Sequence, residues 1–138
     1  MDISSNITSL FNLTRMTVNY LQKVEKRNNK EQHNVLKEII ATNDILIRLK
    51  IKSNVHQWKD MMNALNMSEG PFGELRVLLK GINDKLEPTK TLFQYLKWPF
   101  GKIEIMTILF TIKQIQSCFN LGLQNDHLYD YLNCLFSS

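Results

Sequence analysis

Apolar residues recur along most of this chain at intervals of three and four positions, the period of an amphipathic α-helix. The clearest case follows Gly70-Pro71, because a proline in the first helical position is preorganised for a helix start. The apolar residues after it are Phe72, Leu75, Leu78, Leu79, Ile82 and Leu86. Only 5 Gly and 3 Pro occur in 138 residues, which is little punctuation for the many tight turns of an all-β fold. The pattern predicts an all-α protein, an up-and-down bundle of four to six helices.

The first predicted helix runs from about Ser5 to Lys26 and carries apolar residues on more than one side, so we expect it to be buried on two sides. Asn29 can cap a second helix, whose apolar stripe begins at Leu36. Because the connection is short, these two helices should be antiparallel neighbours. A third, shorter helix is expected to end near Asn66.

The last third of the chain contains the most apolar segment, from Lys102 to Gln124, which is apolar on nearly every side of a helix and therefore predicts a central one. A short helical piece is expected between Pro88 and Pro99. The domain prediction is a helical bundle over residues 1–125, with residues 126–138 as the start of a short C-terminal connector helix.

Two turn segments are predicted to be structural because they fix helix ends: Gly70-Pro71, and Trp98-Pro99-Phe100. The aromatic turn has two interpretations. The two rings can plug the end of the bundle, or they can form a site for a partner. The pattern favours the plug.

Composition places the chain among ordinary globular domains, since 43% hydrophobic and 22% charged residues argue against disorder. A signal peptide pattern is missing at Met1–Asn6, and no apolar run approaches the ~20 residues that span a bilayer. Cys118 and Cys134 form no CxxC pair and are expected to be reduced thiols. We therefore expect a cytoplasmic protein.

Catalysis would need a nucleophile with a base, a carboxylate pair in a cleft or a metal cluster, and no such signature occurs in the sequence. His33, His56 and His127 stand singly, and the glycines are too scattered to cradle a phosphate. The expectation is a protein without enzymatic activity, catalytic residues, cofactor or metal.

The net charge of +4 is a mild bias towards anionic partners. Four of the basic residues cluster where the first predicted helix ends and the second begins, near one end of the predicted hairpin: Lys23, Lys26, Arg27 and Lys30. A solvated helix end often has this composition, but an anionic membrane would also be attracted by it. No recognition helix, zinc finger or aromatic platform is present, so nucleic acid is not expected as a partner.

Four segments of the chain together resemble the N-terminal domain of fungal NOD-like receptors, of the HeLo-like kind. They are Met1–Ser5, the sequence EGPFGEL at 69–75, the sequence LKWPFGKIEI at 96–105, and the sequence LGLQNDH at 121–127. The most specific element is the tryptophan-proline-phenylalanine turn followed by an apolar helix and an Asp-His pair. The resemblance extends over nearly the whole chain in order.

This resemblance implies a bundle similar to the four-helix domain of the mixed lineage kinase domain-like protein, acting as an effector of regulated cell death. An upstream receptor or downstream domains would cluster several copies, whose self-association raises avidity for lipid. The domain would then be recruited to the plasma membrane and disrupt it. Membrane-engaging residues would be Ile3, Ile7, Leu10, Phe11 and Leu13, and headgroup contacts on anionic lipids would come from Lys23, Lys26, Arg27 and Lys30.

Polar residues interrupt the first helix, among them Asn6, Thr8 and Asn12. They keep a second hypothesis open, in which the bundle is an interaction module that recruits another effector through a helix face and never contacts lipid.

Overall fold

In the computed structural model, the described residues are 3–24, 30–53, 58–87 and 98–124, and they form five α-helices and no β-strand. The helices are α1 (Ile3–Gln22), α2 (Lys30–Lys52), α3 (Lys59–Leu65), α4 (Pro71–Leu86) and α5 (Lys102–Gln124). The all-α helical bundle is confirmed. The helical piece expected before Pro99 and the connector helix expected over 126–138 lie outside the described residues.

The four long helices form a closed ring, in which α1 packs against α2 and α4, and α5 packs against the same two helices. Contacts at both ends make α1 and α2 antiparallel, because Lys50 bonds Thr8 and Gln32 bonds the carbonyl of Leu21. The two-sided burial of the first helix and its antiparallel pairing with the second are as expected. The short helix α3 lies against α5.

The second hairpin, α4 and α5, is also antiparallel. Phe72 and Phe119 lie with ring centroids 5.6 Å apart at one end, and Lys85 pairs with Glu104 at the other. Arg76 bonds Asn6, so α4 and α1 begin at the same end of the bundle. The directions of the four long helices therefore alternate along the chain.

The core is built from the apolar stripes that the helical period predicts. On α4, Phe72, Leu75, Leu79, Ile82 and Leu86 are all buried. Burial of a large apolar side chain contributes about 1.5–3 kcal/mol before the entropy of ordering the chain is subtracted, so the five side chains of this stripe attract α4 to the core.

The prediction that the last helix is central is wrong. Ile103, Met106 and Phe110 of α5 are largely exposed, although Ile105, Ile108 and Ile112 are buried. The reason is the ring arrangement, which leaves every long helix with an outward side. The apolar side chains on the outward side of α5 have no helix to cover them among the described residues.

The two turn segments lie at helix ends. Gly70 is the residue before α4, and a Cβ atom there would lie 2.9 Å from the carbonyl oxygen of Met67, so the close approach requires a glycine. Pro71 is the first residue of α4 and is buried. Phe100 is buried and its ring meets that of half-buried Trp98 edge-on, 4.9 Å between centroids, whereas Pro99 is exposed.

Candidate functional site

The residues predicted to engage a membrane belong to the core in this arrangement. Ile7 and Leu10 are fully buried, and Ile3, Phe11 and Leu13 are half-buried against the core. Ile7 and Leu10 can therefore contact a lipid surface only after α1 has moved away from α2 and α4, whereas the three half-buried side chains are already partly accessible. The question for this site is how firmly α1 is held.

Two buried threonines of α1 are satisfied within the helix itself. The hydroxyl of Thr14 donates to the carbonyl of Leu10 at 2.7 Å, and that of Thr17 donates to the carbonyl of Leu13 at 2.8 Å. Threonine side chains bond the carbonyl four residues earlier in this way when no better acceptor is offered. Moving α1 as an intact helix leaves both bonds unbroken, so these polar residues do not resist its release.

A polar cluster of three residues holds the first turn of α1, and we call it the α1 clasp: Asn6, Asn66 and Arg76. The amide of Asn6 donates to the side-chain oxygen of Asn66 and accepts from the guanidinium of Arg76. Asn6 is only 7% exposed, so water cannot easily replace these partners. Further along α1, the ammonium of Lys50 donates to the hydroxyl of Thr8 at 3.1 Å and lies 5.7 Å from the ring centroid of Phe11.

The two predicted headgroup residues that the structure describes, Lys23 and Lys30, lie at the other end of α1. Lys23 is exposed just after α1, Lys30 is exposed at the start of α2, and Lys26 and Arg27 lie outside the described residues. At a rise of 1.5 Å per residue, Lys23 is roughly 25 Å along the helix axis from Asn6. Among the described residues, the structure therefore does not bring the predicted apolar and basic side chains together at one end of the bundle.

The chemistry of α1 suits a membrane interface better than a membrane span. Arg15 is its one charged side chain, and no acidic residue occurs from Ile3 to Gln22. Among the residues that the structure describes, no helix combines the length and the apolar character needed to cross a bilayer. A helix with an apolar side and few charges can instead lie flat at the boundary between headgroups and acyl chains.

The outer side of α1 is only partly covered. A groove of about 440 Å³ follows α1 and α2, and its walls include Phe11, Val18, Ile40 and Ile47. Ile40 and Ile47 are each more than 40% exposed. The apolar contact between the first two helices is therefore incomplete on this side.

A second feature, which sequence reasoning missed, is an apolar surface that we call the α4–α5 face: Val77, Ile103, Met106 and Phe110. Their side chains are 73%, 80%, 66% and 72% exposed. The signal was present in the spacing of Ile103, Met106 and Phe110, which form a stripe separate from the buried one. From the sequence alone this stripe predicts burial, because a sequence does not show which helix faces have neighbours.

A groove of about 400 Å³ runs between α4 and α5 beside this face. Of the described residues that line it, the charged ones are Lys85 and Glu104, which form an ion pair. The bond from Lys85, and a weaker one from the backbone N–H of Gly101, lower the pKa of the Glu104 carboxyl. Thr107 also lines the groove, but its hydroxyl donates back to the carbonyl of Ile103 at 3.0 Å. The groove is therefore mainly apolar, with one neutralised pair at its edge.

Three further polar side chains of the interior and its edge, Glu38, Thr42 and Gln116, take part in contacts between helices. The ammonium of Lys113 lies 2.6 Å from the carboxylate of Glu38. The amide of Gln116 donates to the carbonyl of Glu38 at 3.2 Å and to the hydroxyl of Thr42 at 3.1 Å. These contacts join α2 to α5.

Within the described ranges, no group of three His, Cys, Asp or Glu side chains is arranged to hold a metal ion. His33 is exposed on α2, and His56 and His127 lie outside the described residues. Cys118 is buried in the core, and this burial raises the pKa of its thiol to about 11. A thiol with so high a pKa is a poor nucleophile at neutral pH.

None of the protein-family models matches this chain, and no matching curated protein or solved structure was found.

Proposed function

We propose that this bundle is a signalling or executing domain of regulated cell death, which oligomerises and then engages the plasma membrane through α1 and nearby basic residues. The resemblance to HeLo-like receptor domains suggests this activity. The observation that supports it is the way α1 is held: by apolar burial and a small polar clasp, with its buried hydroxyls satisfied internally.

Release of α1 has a simple energy balance. The fully buried side chains Ile7, Leu10 and Leu21 account for most of the attraction, at about 1.5–3 kcal/mol each. A lipid interface would take up the same side chains and recover much of that free energy. In water nothing replaces the lost burial, so α1 stays in the bundle until a membrane is close.

An interfacial position also explains how the separated apolar and basic residues act together. If α1 lies flat on the membrane, its first half presents Ile3 to Leu13 to the acyl chains while Lys23 reaches the headgroups beyond the other end. Each lysine or arginine near an anionic surface contributes about 1 kcal/mol. Such weak single-copy binding becomes effective when an upstream domain clusters several copies.

Dye leakage from liposomes tests this proposal, with the domain clustered by a fused oligomerisation tag. The test variant replaces Lys23, Lys26 and Arg27 by Glu. The matched control replaces Lys37, Lys59 and Lys80, which are exposed on other helices, and makes the same change in net charge. We expect leakage that requires anionic lipid, falls at least tenfold in the test variant and persists in the control. Equal loss in both triple variants, or no leakage by the clustered wild type, would contradict the proposal.

A second candidate function is the interaction module, and the exposed α4–α5 face is the observation that favours it. In this alternative the bundle docks a protein on that face and α1 never moves. Expression in cells distinguishes the two proposals by the cell-death response. If the bundle is an interaction module, Phe110→Glu should abolish this response and the variant with Lys23, Lys26 and Arg27 replaced by Glu should retain it. The membrane proposal expects that triple variant to lose the response.

A further inference from the structure

We propose that the groove between α1 and α2, which we call the α1–α2 groove, binds a free medium-chain fatty acid, and that this ligand holds α1 in the bundle. The volume of the groove is about 440 Å³, which lies within the range of small-molecule sites in proteins. Such sites are mainly apolar and contain a few polar groups that fix the orientation of the ligand. The inference goes beyond the proposed function, because the ligand would bind whether or not α1 ever enters a membrane.

Most of the wall of the α1–α2 groove is apolar. Phe11 and Val18 of α1 are half-buried, and Ile40 and Ile47 of α2 are 42% and 45% exposed. Each pair covers about two turns of its helix, so the apolar wall is roughly 10 Å long. The extended chain of a medium-length fatty acid such as decanoate has a similar length. The groove is therefore matched to one acyl chain.

The polar part of the lining consists of Thr14, Arg15 and Asn43. The hydroxyl of Thr14 already donates to the carbonyl of Leu10. The exposed guanidinium of Arg15 and the half-buried amide of Asn43 make no hydrogen bond or ion pair with any described residue. A guanidinium can bind a carboxylate through two parallel N–H bonds, which are stronger than bonds between neutral groups. An acyl chain in the groove can therefore place its carboxylate against Arg15.

The charges around the α1–α2 groove are net positive. The ammonium of Lys50 lies 5.7 Å from the ring centroid of Phe11, which forms one end of the apolar wall. Exposed Arg48 and exposed Asp44 each follow a lining residue of α2 in the sequence. Helix α1 contributes Arg15 and contains no acidic residue. Three cations therefore surround the groove with one carboxylate, and this balance favours an anionic headgroup.

The size of the α1–α2 groove favours a small ligand over a protein. A stable protein interface buries about 800 Å² on each partner, which is more than a groove two helical turns long provides. The groove between α4 and α5 differs in its charges, because its lining cation Lys85 is already paired with Glu104. Of the two grooves, as the described residues line them, the one beside α1 therefore offers an anion a cation without a competing partner.

A ligand in the α1–α2 groove would oppose the release of α1. The groove has one wall on α1 and the other on α2, so it exists only while these helices are packed together. A ligand that binds only this docked arrangement lowers the population with α1 released in proportion to its concentration relative to its Kd. At about ten times the Kd, this population should fall roughly tenfold.

Titration with decanoate in the absence of lipid tests the site, with the chemical shifts of the backbone amides as the readout. We expect saturable shifts over residues 11–18 and 40–47, with a Kd on the order of 0.1 mM for a ligand of this size. Amide hydrogen exchange in α1 should slow roughly tenfold at about ten times the Kd. Decyltrimethylammonium, which has the same chain and a positive headgroup, should bind roughly threefold more weakly or less still.

Two pairs of variants assign the contacts. Arg15→Gln should weaken decanoate binding by roughly threefold or more, whereas Lys80→Gln, which removes the same charge from an exposed position on α4, should not. Ile40→Trp fills the groove and should abolish binding, whereas Ile51→Trp, at a 66% exposed position outside the lining, should not. All four positions are exposed, so the variants should keep the helical content of the wild type in circular dichroism.

Several results would overturn the proposal: no saturable binding up to ~2 mM decanoate, equal affinity for the cationic amphiphile, or binding that Arg15→Gln and Ile40→Trp leave unchanged. Shifts confined to the α4–α5 face would do so as well. If anionic vesicles shift the lining amides and decanoate does not, the occupant is a bilayer lipid. If the same amides shift with protein concentration alone, the occupant is a second copy of the chain. Either result also overturns the proposal.

The outcomes separate this inference from the proposed function, because the titration contains no lipid. If decanoate binds as expected but the clustered domain releases no dye, the membrane proposal alone fails. If the clustered domain releases dye and decanoate does not bind, the inference alone fails.

Discussion

The α1 clasp offers the sharpest test of how α1 is held. Arg76→Ala leaves the side-chain oxygen of Asn6 without its donor at a position that is 7% exposed. An unsatisfied buried acceptor costs about 1–3 kcal/mol, and we expect this loss in the free energy of unfolding. Asn6→Ala removes acceptor and donor together. Its former partners Asn66 and Arg76 are half-buried and can turn to water, so its cost should be below about 1 kcal/mol.

The clasp joins Asn6 of α1 to residues that are 60 and 70 positions further along the chain. Because these bonds are tertiary contacts of α1, their loss should weaken the docking of α1 before it weakens the rest of the bundle. Because 1.4 kcal/mol is a factor of ten, Arg76→Ala should raise the population with α1 released by roughly 5- to 150-fold. Guanidinium unfolding gives the global value, and amide hydrogen exchange from Ile7 to Leu13 gives the local one. Arg48→Ala, an exposed arginine on α2, is the control and should change neither.

The reasoning is refuted if the free energy of unfolding of Arg76→Ala differs by less than about 0.5 kcal/mol from that of the Arg48→Ala control. It is also refuted if amide protection falls equally in α1 and α5, since the clasp would then support the whole bundle. In liposome assays, the variant should release dye at a lower degree of clustering than the wild type.

Four further predictions concern stability. Gly70→Ala should lower it by about 1–3 kcal/mol, because the new Cβ would lie 2.9 Å from a carbonyl oxygen. Gly81→Ala, in open space inside α4, should raise it by about 0.5–1 kcal/mol, and chemical denaturation compares the two. Burial raises the pKa of Cys118 from 9.0 to about 11. The contribution of the buried neutral thiol to stability should therefore be fully present below pH 9, and it should fall as the pH rises towards 11, because only the unfolded chain then ionises. A flatter pH profile in Cys118→Ala checks this, and an unchanged profile would contradict it. Finally, the buried side-chain amide of Asn83 has no hydrogen-bond partner among the described residues. Replacing it by an apolar side chain in Asn83→Leu should therefore raise the midpoint of thermal unfolding. A lower midpoint would contradict this prediction.

Much of the fold could be predicted from local pattern, and less of the candidate site could. The proline at position 71 and the spacing from Phe72 to Leu86 predict both the start of α4 and its buried side, because capping and amphipathicity act within a single helix. The clasp could not be predicted in this way. Asn6 carries no local signal that distinguishes it from the exposed Asn12, and only the docking of α4 beside α1 supplies Arg76 as its partner.

The sequence by itself determined the helices, their approximate ends and the antiparallel pairing of α1 with α2, since these depend on the helical period, turn residues and short connections. Only the tertiary structure decided which apolar side chains are covered. Helix α5 is apolar on nearly every side, yet the ring of four long helices covers Ile105, Ile108 and Ile112 and leaves Ile103, Met106 and Phe110 in solvent. The physical reason is that burial is a property of neighbours, and the neighbours of α5 are set by the packing of α2 and α4 against it.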